Sequence, residues 1–130
     1  MYPLFVYGTL RSDSTHHHLI ETWIQEKKEA YIYGSLYYYG IESDYGWYPY
    51  ATKGSGIIKG EILYSGNMSQ ILKIADDFED NGLTYERELY RVFENEREQL
   101  AWVYFIKMKP DKGKRIICGD WVFETKNKAK

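Results

Sequence analysis

At 130 residues the chain has the size of one domain, which excludes two independent catalytic domains or a long repeat array. Its 44% hydrophobic and 28% charged composition argues against intrinsic disorder, and no apolar run approaches the ~18 residues of a membrane span. Seventeen Lys plus Arg against nineteen Asp plus Glu leave a net charge of −2 and no basic block in the body of the chain, so neither nucleic acid nor a membrane is expected as a partner.

Residues 3–7, Pro-Leu-Phe-Val-Tyr, read as an opening strand that stops at Gly8 and enters the turn Gly8-Thr9-Leu10-Arg11. Asp13 or Ser14 caps an expected amphipathic helix on which Leu19, Ile20, Trp23 and Ile24 recur at helical spacing. Tyr31 to Tyr39 alternate with period two, which predicts a long strand bent at Gly34. The segment Gly40 to Gly56 reads as irregular, apart from a short strand around Tyr48-Pro49-Tyr50-Ala51. Ile57 to Tyr64 form another strand, and Gly66-Asn67 lead into a second helix with Met68, Ile71, Leu72, Ala75 and Phe78 on one side. Strands at about 85–94 and 99–107 are joined by an Asn95–Glu98 hairpin, and Ile116–Glu124 reads as a closing strand carrying a buried Cys118.

These elements predict an α+β fold: a small, strongly curved mixed sheet or barrel of about six to seven strands with two main flanking helices. One domain over residues 1–124 and a flexible tail over 125–130 are expected. The aromatic content, with 14 Tyr among 18% aromatics, falls mostly in the period-two strands and so serves chiefly as core and wall. One cysteine allows no intrachain disulfide, and the Met-Tyr-Pro-Leu-Phe start lacks the basic and apolar regions of a secretory signal, so a cytoplasmic location is expected.

His16-His17-His18 is metal-like in composition, yet adjacent helical residues fan out by about 100° each and cannot all meet one ion. No metal site is expected there; the triplet reads as capping or surface. Asp76-Asp77-Phe78-Glu79-Asp80 holds four acids that helical geometry separates. With Met68 as zero, Glu79 falls at about 20°, within the apolar stripe, while Asp76, Asp77 and Asp80 fall at about 80°, 180° and 120°. A carboxyl in that stripe is desolvated, and its pKa rises toward neutrality, which suits a group that takes and returns protons. The Gly8-Thr9-Leu10 turn offers backbone N–H groups for a carboxylate or an oxyanion but lacks the glycines of a phosphate loop.

Val6-Tyr7-Gly8-Thr9-Leu10-Arg11, Asp76-Asp77-Phe78-Glu79, Tyr85-Glu86-Arg87 and Ile117-Cys118-Gly119-Asp120-Trp121, in that order across roughly residues 2–123, resemble the γ-glutamylcyclotransferase-like (AIG2-like) family. The resemblance implies a barrel-like fold with flanking helices and no metal or cofactor. It makes Glu79 the catalytic acid/base and Tyr7, Gly8, Thr9 and Leu10 the substrate-binding turn. It adds Tyr85 and Arg87 as the Y-x-R element, with Tyr50 and Tyr104 as candidate cavity walls. One departure is the Asp80-Asn81-Gly82 segment, where the family often has Gly directly after the glutamate.

The implied reaction is ring closure of a γ-glutamyl amine or γ-glutamyl amino acid to 5-oxoproline. Two rival readings follow from the same residues. One is a non-catalytic binding protein for γ-glutamyl or amino-acid-like small molecules on the same fold. The other is an aromatic surface for single-stranded nucleic acid built on Tyr37-Tyr38-Tyr39 and Trp47-Tyr48, which lacks the accompanying positive groove.

Overall fold

In the computed structural model, which describes residues 1–41, 46–95, 97–110 and 112–128, the sheet closes on itself. The strands are β1 (Leu4–Val6), β2 (Glu26–Ile41), β3 (Gly46–Tyr64), β4 (Tyr85–Glu94), β5 (Arg97–Ile106) and β6 (Lys114–Arg115). β1 lies between β3, antiparallel, and β5, parallel. β5 and β4 form an antiparallel hairpin, β4 meets β2 at Tyr31–Phe93, and β2 returns to β3. That ring is a barrel, and β6 adds to β2 at Tyr37 and Tyr38.

Alternation builds the interior. Along β2, Ile32, Leu36 and Tyr38 are buried while Tyr31, Tyr33, Tyr37 and Tyr39 are not, as a two-residue repeat requires. The β2–β3 register shifts between Tyr33 and Ser35, at the bend expected for Gly34. Inside the barrel Phe5, Ile32, Ile58, Ile62, Val92 and Val103 form one apolar cluster. A second cluster joins Leu4, Val6 and Leu63 to Met68, Ile71 and Ala75 of helix α1 (Met68–Phe78). Each fully buried Ile or Leu of this kind contributes on the order of 2 kcal/mol. Close backbone approach is needed at Gly60, where a Cβ would sit 2.2 Å from the Val6 carbonyl oxygen.

Three expectations are corrected. The first helix is replaced by two 3-10 turns, His17–Leu19 and Glu21–Trp23. Tertiary hydrogen bonds win over periodicity here: His16 N–H donates to the Thr9 carbonyl, and Gln25 N–H to the Tyr64 carbonyl. Ile20 is still fully buried, so the apolar spacing reports contact with the core without requiring a continuous helix.

The closing strand is likewise replaced, by a turn and helix α2 (Trp121–Lys128). Gly119 takes a φ of 68°, its carbonyl accepts from Lys59 N–H, and the Asp120 carboxylate accepts from Phe123 N–H at 3.1 Å. A side-chain cap thus starts a helix where β propensity favours a strand. Cys118 is exposed in the turn, not buried in a strand, and the expected boundary at residue 124 falls within α2.

The Gly40–Gly56 region is the third: β2 continues to Ile41 and β3 starts at Gly46, so ladder pairing takes most of it. Residues 42–45, Glu96 of the expected hairpin turn, and residues 129–130 of the expected tail lie outside the described residues. No helix among the described residues is long and apolar enough to cross a membrane.

Candidate active site

α1 keeps its helical hydrogen bonding through Glu79, whose N–H donates to the Ala75 carbonyl at 2.8 Å, so the turn assumed for Glu79 is present. The helix then ends sharply. Asp80 adopts a φ of 54°, the left-handed geometry that glycine normally supplies just after a helix. This gives a structural reason for a glycine directly after the glutamate; here Asp80 takes that geometry while accepting from Thr84 Oγ1 at 2.8 Å. The end of α1 thereby turns Glu79 toward the first strand and its turn.

Between these elements lies a cavity of about 420 Å³, toward the small end of the roughly 300–1,000 Å³ of ligand pockets. Tyr7, Gly8, Thr9 and Leu10 form one side, and Glu79, Tyr85 and Tyr104 are on its lining. Gly8 is required there by packing, since a Cβ would lie 2.5 Å from Pro49 Cγ. Turn carbonyls are held by the protein: Gly8 O accepts from Arg11 N–H, Thr9 O from His16 N–H, and Leu10 O bonds His17 Nδ1 at 2.8 Å. The N–H groups of Gly8, Thr9 and Leu10 make no hydrogen bond among the described residues.

The Glu79 carboxyl has no hydrogen-bond or ion-pair partner among the described residues. Burial pushes its carboxyl up to about 7, because the charged form loses water and gains no compensating donor. The side chain is half-buried and lines the cavity. The same carboxyl acts electrostatically on Tyr7, Tyr85 and Tyr104, which places these groups together. Burial raises all three tyrosines well above their ordinary value, so they stay protonated.

Two of the sequence-derived candidates lie off the cavity wall. Tyr50 is 1% exposed in the core and stacks on Tyr37 with ring centroids 5.2 Å apart. Arg87 forms a two-pronged ion pair with Asp76, Nε–Oδ1 2.8 Å and Nη2–Oδ2 3.0 Å, and lies over the Trp102 ring. Asp76, which the helical projection puts outside the apolar stripe, also accepts from Tyr104 Oη at 2.5 Å. Its spacing of three from Glu79 on one helix was the available signal.

Lining residues that sequence reasoning missed include His16, Tyr48, Pro49, Phe78 and Thr84. They come from four chain segments, so nothing local marks them. The His triplet diverges: His17 is buried against the Leu10 carbonyl, His16 packs on Phe78 at 4.9 Å, and His18 is exposed. Among the described residues no three His, Cys, Asp or Glu side chains are grouped to hold a metal ion. The Arg11 and Asp120 ends of the terminal motifs meet in an ion pair at 2.9 Å that ties the turn to α2.

Comparison with known proteins bears on the family and the fold. A family model described as Gamma-glutamyl cyclotransferase, AIG2-like, matches residues 4–123. The chain belongs to this family. No curated protein matches it significantly in sequence. Among solved structures, YkqA from Bacillus subtilis is similar with a TM-score of 0.69 and 23% identity, covering 99% of this chain and 43% of YkqA. The chain therefore spans less than half of that protein's length. A mouse AIG2-like protein aligns with a TM-score of 0.67 and 23% identity over 85% of this chain and 80% of its own. Protein ytfP from Escherichia coli aligns with a TM-score of 0.61 and 25% identity over 95% and 98% of the two chains. The mixed α+β fold, a six-stranded curved sheet with two helices, is shared with AIG2-like structures.

Proposed function

We propose that this member of the cyclotransferase family releases 5-oxoproline from a γ-glutamyl amine or γ-glutamyl amino acid in the cytoplasm, by intramolecular aminolysis with Glu79 as the general acid/base. One observation carries the reading: a desolvated, unpartnered Glu79 carboxyl shares a small cavity with the unbonded N–H groups of Gly8, Thr9 and Leu10.

The substrate's α-ammonium has no lone pair, so the Glu79 carboxylate first removes a proton from it. The freed nitrogen attacks the γ-carbonyl carbon of the same molecule; a C–N bond forms and the carbonyl oxygen becomes an oxyanion. N–H groups of the Gly8–Leu10 turn stabilise that charge, an interaction whose loss costs roughly 3–4 kcal/mol in comparable enzymes. The C–N bond to the departing amine then breaks as Glu79 returns the first proton to that nitrogen, and the surplus proton left on the ring nitrogen passes through Glu79 to the released amine. A neutral ring lactam and an ammonium result, and atoms and protons balance without water.

A carboxyl near 7 suits both halves of this cycle, since it gains and loses a proton with little driving force either way. Tethering of nucleophile to electrophile supplies much of the rate, which leaves the protein mainly to orient one head group. Incubation with a panel of γ-glutamyl amines and amino acids, with mass detection of 5-oxoproline, tests the reading. Release by the wild type and none by Glu79→Gln supports it. Binding without release by the wild type assigns the protein to non-catalytic recognition instead.

A further inference from the structure

Exposure separates the floor of the cavity from its mouth. Tyr7, Tyr85 and Tyr104 are at most 6% exposed and form the floor, whereas His16 and Tyr48 are half-buried and Phe78, Asp80 and Thr84 reach solvent. Three rings therefore stand where the cavity opens. Phe78 is 38% exposed, although it ends a helix whose Met68, Ile71 and Ala75 are fully buried. A large apolar ring kept at the edge of a cavity calls for an occupant. It packs on His16 with ring centroids 4.9 Å apart, and Tyr48 is braced edge-to-face by Tyr39 at 5.5 Å. Both aromatic surfaces are thus held in place.

Charge points the same way. Among the described residues no Lys or Arg lines the cavity, and its acids are Glu79 and Asp80. The cations on adjoining elements are committed: Arg11 to Asp13 and Asp120, Arg87 to Asp76, and Lys107 Nζ to the Gly82 carbonyl at 2.7 Å. His16 Nδ1 and Thr15 Oγ1 are hydrogen-bonded at 3.0 Å. A carboxylate entering the mouth would lose water without gaining a counter-charge, which is costly. A further ammonium would find only Asp80, an exposed side chain that already accepts from Thr84 Oγ1, and exposed ion pairs contribute little. An aryl group loses nothing of this kind and gains ring contacts.

We infer that the mouth is a subsite for the substituent of the departing amine, and that Phe78 and Tyr48 select an aromatic, uncharged substituent, as in an arylethylamine, over amino acids and diamines. The inference rests on the proposed cyclotransferase reading and narrows its substrate class. With the γ-carbonyl at the Gly8–Leu10 turn and the α-amine at Glu79, the substituent on the departing nitrogen is the part of the substrate left for the mouth.

Five γ-glutamyl probes read the selection. They are the 2-phenylethylamide, the methylamide, γ-glutamylphenylalanine, which adds only a carboxylate to the first, and the 4-aminobutylamide with the pentylamide as its uncharged isostere. Dissociation constants come from calorimetry on Glu79→Gln protein, and kcat/KM from 5-oxoproline release by the wild type. The 2-phenylethylamide is expected to lead the methylamide about tenfold or more in both, the scale of burying one aromatic ring. It should lead γ-glutamylphenylalanine by a similar factor, and the pentylamide should lead the 4-aminobutylamide. Phe78→Ala, at an exposed position, should cut the phenylethylamide-to-methylamide ratio about tenfold, and Tyr48→Ala, checked by thermal melts, should act in the same direction. Phe78→Lys should narrow the gap to γ-glutamylphenylalanine by supplying a counter-charge. Equal values for the 2-phenylethylamide and the methylamide, a lead by γ-glutamylphenylalanine or the 4-aminobutylamide, or ratios unmoved by Phe78→Ala overturn the subsite even where 5-oxoproline is released. Ring-selective binding without release by the wild type keeps the selective mouth and removes the catalytic reading, and binding of no probe removes both.

Discussion

Replacing Glu79 by Gln should stabilise the protein at alkaline pH and leave it unchanged in acid. Folding raises the carboxyl from its ordinary 4.5 to about 7, so the folded state holds the proton more tightly than the unfolded chain. The associated stability is fully present below about 4.5, where both states are protonated, and is lost as pH rises to about 7. Above that, ionised Glu79 is penalised in the fold. At about 1.4 kcal/mol per tenfold change in proton affinity, the loss approaches 3 kcal/mol by pH 8. Gln keeps the shape and carries no charge, so the variant avoids this penalty.

The quantity to read is the difference in unfolding free energy between Glu79→Gln and wild type, by urea denaturation from pH 4.5 to 8.5. It should be near zero at the acid end and rise to about 3 kcal/mol, or a melting-temperature gap of roughly 10 °C at this chain length. The rise should be centred between 4.5 and 7. A difference independent of pH, or a variant less stable than wild type at pH 8, refutes burial of an unpartnered carboxyl at this position.

Two further substitutions test the site's construction. Gly8→Ala puts a methyl 2.5 Å from Pro49 Cγ, so it should cost about 1–3 kcal/mol of stability through overpacking and reduce 5-oxoproline release; a variant with wild-type melting and turnover contradicts the close approach. Asp80→Gly relieves a φ of 54° but gives up the bond from Thr84, and since left-handed backbone costs a non-glycine residue about 1–2 kcal/mol, a net gain of roughly 0.5–1 kcal/mol is expected in denaturant unfolding. A loss of stability there shows that the hydrogen bond outweighs the strain.

Helix α1 and the β4–β5 hairpin were legible because their signals are local and mutually consistent. The Met68-Ile71-Leu72-Ala75 stripe needs one face of one helix, and the Tyr85–Glu94 alternation needs one strand. Glu79 was legible for the same reason, as the single acid inside the apolar stripe. The segment around Ile20 was not, because its apolar spacing is helical while its hydrogen bonds go to Thr9 and Tyr64. The C-terminal segment failed on competition between propensity and capping: Ile116 and Ile117 favour a strand, but Gly119 and Asp120 break it and start α2.

Site residues divide along the same line. Tyr7, Gly8, Thr9 and Leu10 lie on one turn, and the turn lines the cavity. Tyr50 and Tyr48 are two residues apart on β3 yet face different surroundings: Tyr48 lines the cavity and Tyr50 stacks on Tyr37. Alternation puts both on one face of β3, so which of them meets the cavity depends on what packs over each, and that is set by long-range contacts. The charge balance of Arg87, Asp76 and Tyr104 spans β4, α1 and β5, a juxtaposition no local pattern encodes.

The central claim, that Glu79 moves the proton in release of 5-oxoproline, is tested most directly by the pH profile of kcat/KM for the best γ-glutamyl substrate, wild type against Glu79→Gln. The wild type should rise through an acid limb with a midpoint near 7, the value burial gives Glu79, and the variant should release no 5-oxoproline at any pH while remaining folded. Turnover by Glu79→Gln within tenfold of wild type, or a wild-type profile flat from pH 5 to 8, would contradict it.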